Sequence, residues 1–118
     1  MSLVVTMVEI GVGVGIIVAA AYAHELTHAA VGKALGGRLL AVDVIGLEVV
    51  MEMPNERTNS AMLLAPGIVG VALVPLVAAV WASSASLVLK GAVTLAWGVY
   101  TLAGGTEGEL TLANPQPQ

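Results

Sequence analysis

His24-Glu25-Leu26-Thr27-His28 forms an H-E-x-x-H motif near the end of a strongly apolar stretch. Positions four apart share a face of a helix, so His24 and His28 can present both imidazoles to one zinc ion, with Glu25 beside the water bound there. Zinc lowers the pKa of its water and polarises a carbonyl, and Glu25 can accept the water proton and pass it to a leaving amine. Hydrolysis of a peptide bond is the matching reaction. The bland reading of the two histidines is a polar pair between membrane helices. Against it stands the cost of placing ionisable side chains in an otherwise uncharged apolar helix.

A catalytic zinc usually has three protein ligands and one open position, so the motif is one ligand short. The chain has no cysteine and no further histidine. The missing ligand is therefore expected to be acidic. Glu109, in Gly104-Gly105-Thr106-Glu107-Gly108-Glu109-Leu110, is the first choice and Glu107 the second. Glycines at 104, 105 and 108 allow this segment to turn a carboxylate back toward a metal. Both glutamates can instead be solvated charges. Asp43, Glu48, Glu52 and Glu56 compete weakly.

The elements carrying these residues follow from composition. Of 118 residues, 58% are hydrophobic and 10% charged, with a mean hydropathy of +0.94. Ordinary soluble domains carry roughly 25% charged residues. An integral, multi-pass protein of the cell membrane is expected. Four Lys and Arg against eight Asp and Glu leave no basic tract for following a phosphate backbone, so nucleic acid is not an expected partner. Glu9 and the lack of a basic n-region argue for a retained first helix and against a cleaved leader. Gly11, Gly13 and Gly15 lack the preceding strand and full spacing of a nucleotide loop and read as a tight helix seam.

The expected fold is an all-α membrane protein with three transmembrane helices and a short β-hairpin insert between the first and second. Helices are expected at about 8–31, 60–80 and 87–104, and the strand insert at about 38–53. Residues 1–112 form one integral-membrane domain and residues 113–118 a flexible tail. Thr58, Asn59 or Ser60 can cap the second helix, and Pro66 and Pro75 invite kinks within it. Asn59 and Pro66 can also be read as groups that position a substrate carbonyl. After three crossings, the C-terminal ends of the first and third helices lie on one membrane face, where the histidines can meet Glu107 or Glu109. Lys33, Arg38 and Arg57 outnumber Lys90, which places the insert and C-terminus inside.

With the motif on the first core helix, the strand-like insert from Arg38 to Met53, the Ala65-Pro66-Gly67 helix and an acidic segment closing the third, the chain resembles the site-2 protease group of intramembrane zinc metalloproteases. It is closer still to the small zincin peptidases related to them. The resemblance implies that His24 and His28 bind zinc, that Glu25 is the general base, and that Glu109 matches the acidic ligand of the third core helix. That group generally carries Asp-Gly there, and no Asp-Gly occurs in this chain. It also implies that the hairpin edge pairs with an extended substrate.

The leading expectation is a zinc endopeptidase cutting membrane-protein or peptide substrates in or near transmembrane segments. Its rivals are an inactive metal-binding membrane scaffold and a small transporter component. A homo-oligomer is an open expectation, because three short helices enclose a buried site poorly.

Overall fold

The computed structural model describes residues 2–103 with their side chains and the backbone of 106–110. The expected tail at 113–118 lies outside the described residues. The chain divides into two units, Met1–Ala23 with Gly67–Ala103, and His24–Pro66 with Gly104–Gln118. Two helices are long and apolar enough to cross a membrane, Leu3–Ala34 and the run Glu56–Ala82.

Helix α1 (Leu3–Ala34) extends past both ends of the expected segment. At its start the Val5 N–H donates to Ser2 Oγ at 3.1 Å, satisfying one of the first-turn donors. Its other end is set by backbone geometry. Gly36 has φ +92°, Gly37 N–H donates to the Gly32 carbonyl at 2.8 Å, and Gly36 N–H to the Lys33 carbonyl at 3.1 Å. This is a Schellman stop, and only a residue without Cβ occupies that left-handed position without strain. Gly36→Val is expected to destabilise the protein by about 1–2 kcal/mol, read as a shift in its detergent-unfolding midpoint; an unchanged midpoint would refute this account of the stop.

In the second unit, β1 (Arg38–Asp43) and β2 (Glu48–Met53) form the expected antiparallel hairpin. Arg38 pairs with Glu52, Nη2 to Oε1 at 3.0 Å, and a bulge interrupts the register between Leu39 and Ala41. Asp43 Oδ1 accepts from the Gly46 N–H at 2.9 Å and closes the turn. Alternate residues of β2 are buried: Val49, Met51 and Met53 join Met62 in a core against which Ala29 and Leu35 pack. The period of two along a pleated strand puts those three on one face. Gly32 is part of this fit, since a Cβ there would stand 2.7 Å from Met51 Cε.

A third strand corrects the sequence reading. Residues 106–110, expected as a bent acidic segment after the last helix, form β3 (Thr106–Leu110), parallel to β2. The sheet order is β1-β2-β3, so the hairpin is part of a larger sheet. Short segments rich in Gly and Glu have poor strand propensity, and here pairing with β2 overrides it.

Helix α2 (Glu56–Ala72) begins earlier than expected, and its cap is Asn55, not Thr58, Asn59 or Ser60. Asn55 Oδ1 accepts from the Thr58 N–H at 2.9 Å. After a turn at Leu73 comes α3 (Val74–Ala82), with Pro75 in its first turn. Proline has no N–H for the Val71 carbonyl, which accounts for the break within this hydrophobic run.

Helix α4 (Leu87–Leu102) is capped by Ser86, whose Oγ accepts from Leu89 N–H at 3.2 Å. Its 16 residues rise about 24 Å, short of a hydrocarbon core of roughly 30 Å. Within the first unit, Trp97 Nε1 donates to the Gly70 carbonyl at 2.7 Å and Trp81 Nε1 to Thr94 Oγ1 at 2.7 Å. A Cβ on Gly70 would overlap the Thr101 side chain, and one on Gly13 would lie 2.8 Å from Ala92 Cβ. Of the expected glycine seam, Gly13 makes the close approach, while Gly11 and Gly15 face open space.

Candidate metal centre

Helical periodicity brings His24 and His28 together on α1, one turn apart. Their Nε2 atoms are 3.0 Å apart, and the rings meet edge to face with centroids 4.6 Å apart and planes at 81°. Two nitrogens on one tetrahedral zinc at about 2.0–2.1 Å stand about 3.3 Å apart. The pair therefore fits a shared metal with little adjustment.

Burial sharpens the point. His24, Glu25 and His28 are 3%, 5% and 4% exposed, and among the described residues they are the buried polar or charged ones. Polar groups removed from water are costly unless they are engaged.

The imidazole of His28 is oriented from its far side. Its Nδ1 lies 2.8 Å from the Met62 carbonyl oxygen. A carbonyl oxygen carries no proton, so Nδ1–H is the donor, and in the neutral ring the Nε2 lone pair faces His24. Metal-binding histidines are commonly held this way, with the second nitrogen donating to a carbonyl or carboxylate. Sequence reasoning missed the Met62 contact: Pro66, four residues on, marks a carbonyl without its helical donor, but nothing in the sequence pairs that carbonyl with His28.

Glu25 sits beside the pair, Oε1 3.7 Å from His24 Nε2. That separation exceeds a hydrogen bond. It leaves the carboxylate within reach of a water lying against the ring nitrogens, as a general base requires.

Among the described residues, no third His, Asp or Glu joins these groups in a cluster able to hold a metal. Glu109 and Glu107 belong to β3, where the backbone register sets Glu109 opposite Glu52 and Glu107 opposite Val50. Their side chains lie outside the described residues. Asp43, Glu48, Glu52 and Glu56 stay with the hairpin and the start of α2. Asn59 stands one turn before Met62, and its Oδ1 is buried and accepts no hydrogen bond.

Two buried imidazoles converging through Nε2, one with a backbone acceptor behind it, beside a buried carboxylate, can hold a divalent metal and move a proton next to it. Compared with models of protein families, with characterised proteins and with solved structures, the chain finds no match.

Proposed function

We propose that the chain is an intramembrane zinc-dependent metalloendopeptidase of the site-2 protease kind, cutting peptide bonds in or near transmembrane segments. The observation that carries this reading is the buried convergence of His24 and His28 at 3.0 Å, beside Glu25, on a helix apolar enough to cross a bilayer. The surroundings support a lipid setting. Val4, Met7, Val14, Val18 and Leu26 are all at least half exposed along α1, whereas the core helix of a soluble protein turns such residues inward. Helix α4 is the third crossing in this reading, its shorter length met by local thinning of the bilayer.

His24 and His28 would hold the metal, and the third ligand would be a carboxylate, for which Glu109 is the first choice. Bound there, zinc supplies Lewis acidity toward water and toward the scissile carbonyl. Glu25 takes the proton from the attacking water and delivers it to the amide nitrogen as the C–N bond breaks. His28 keeps its lone pair directed inward through the Met62 carbonyl. The outer edge of β1, all six residues exposed, offers unpaired backbone groups to an extended substrate. A transmembrane helix must unwind locally before its carbonyl enters the site, since helical backbone groups are already paired.

The deciding experiment is metal analysis of protein purified without added metal, followed by cleavage of single-span membrane peptides in proteoliposomes. One zinc per chain, with cleavage lost to 1,10-phenanthroline and restored by zinc, is the expected result. Zinc retention without cleavage of any membrane peptide would move the reading to a metal-binding scaffold. Correctly folded protein that binds no zinc would end it.

A further inference from the structure

We infer that Pro66 is a positioning residue for His28, acting through the carbonyl of Met62. In an α-helix the N–H of each residue bonds the carbonyl four residues earlier. Within α2, the donor due to the Met62 carbonyl is therefore residue 66, and residue 66 is proline. Proline has no N–H, and its ring crowds that same carbonyl away from the helix axis.

The Met62 carbonyl is thus released inside a continuous helix, in a buried place. Met62 and Pro66 are both less than 2% exposed. A buried carbonyl without a donor is costly. The donor it finds is His28 Nδ1, at 2.8 Å. Each group supplies what the other lacks: the helix has an acceptor to spare, and the imidazole needs an acceptor behind it to keep Nε2 free of hydrogen. The hole left by Pro66 in the helical ladder is a designed socket for the ring, and more than a tolerated kink.

With alanine at 66, an N–H would reach the Met62 carbonyl along the axis and compete with the ring. His28 would then gain access to the other tautomer, with hydrogen on Nε2, and would lose its fixed orientation. The consequence for metal binding rests on the zinc reading above; the consequence for the tautomer does not.

The test separates the missing N–H from the proline ring. Pro66→Ala restores the donor, whereas replacing Pro66 by lactic acid, an α-hydroxy acid, gives an alanine-like residue with a backbone ester and no N–H. Full-length protein with ¹⁵N-labelled histidine has only two imidazoles to resolve, and its metal-free spectrum reports which ring nitrogen of His28 carries hydrogen. Wild type and the ester variant are expected to show the Nδ1–H form, and Pro66→Ala a mixture with Nε2–H. Zinc titration is expected to show affinity about 10- to 100-fold weaker for Pro66→Ala, the range typical for losing a metal ligand's outer partner, with the ester restoring it.

An unchanged tautomer and affinity in Pro66→Ala, or an ester variant that behaves like alanine, overturns the inference. If Pro66→Ala fails to fold, the ester variant decides alone: retention of the Nδ1–H form supports it, and loss overturns it. A wild type that shows this tautomer pattern but binds no zinc leaves the role of Pro66 standing and removes the metalloprotease reading.

Discussion

Glu25→Gln is expected to lower kcat by about 10²- to 10⁴-fold while leaving zinc content and KM close to wild type. The substitution keeps the shape of the side chain and replaces a proton acceptor by an amide that cannot take a proton. Glu25 is 5% exposed and its Oε1 lies 3.7 Å from His24 Nε2, so bulk water is poorly placed to substitute as the base. The loss corresponds to about 3–5 kcal/mol of transition-state stabilisation. Since the carboxylate is not assigned as a ligand, metal analysis of the variant separates the base from the site that holds the metal. Activity within about tenfold of wild type, below the range for general-base loss, would show that the proton goes elsewhere.

His24→Ala should produce the opposite split. Even an outer partner of a metal ligand is worth about 10- to 100-fold in affinity, so losing one of two converging imidazoles is expected to cost more than about 100-fold. Activity then falls because the metal is absent, and thermal stability reports it independently. A ligand at 100 times its Kd stabilises the folded state by about 2.7 kcal/mol. Zinc at that level should raise the melting temperature of wild type and of Glu25→Gln, and should leave His24→Ala where it was. Equal stabilisation of all three would place the metal away from His24 and His28.

The two substitutions together discriminate among the readings of the buried histidines. If the pair were only a polar contact between membrane helices, His24→Ala would alter stability with or without zinc, and Glu25→Gln would change nothing measurable in hydrolysis. A metal-binding scaffold would show the zinc response and no catalytic effect. The peptidase reading requires both, each in its own variant.

Much of the site was legible because its parts are close in the chain. The spacing of four residues brings His24 to His28, and a helix of 3.6 residues per turn realises it with no help from distant segments. The hairpin was legible for a similar reason: β2 alternates on a period of two, and Glu48, Val50 and Glu52 leave Val49, Met51 and Met53 for the core. The interruption near Pro75 was also local, a missing donor in a helical run. The start of α2 was not: Ser, Thr and Asn at 55, 58, 59 and 60 all have capping chemistry, and position 55 prevails because the helix begins at Glu56. Likewise Gly11, Gly13 and Gly15 look alike in sequence, and the neighbour Ala92 alone distinguishes Gly13.

By itself, the sequence determined the apolar helical character, the hairpin and the pairing of His24 with His28 beside Glu25, all through periodicities that act within one or two turns. Tertiary structure decided that β3 joins β2 as a parallel third strand and that the Met62 carbonyl, 34 residues from His28, stands behind its ring. Both are contacts made by backbone groups, and every residue except proline carries the same backbone donor and acceptor. Which distant pair meets is therefore set by packing; residue identity enters only where a proline, as at Pro66, leaves a carbonyl free to be met.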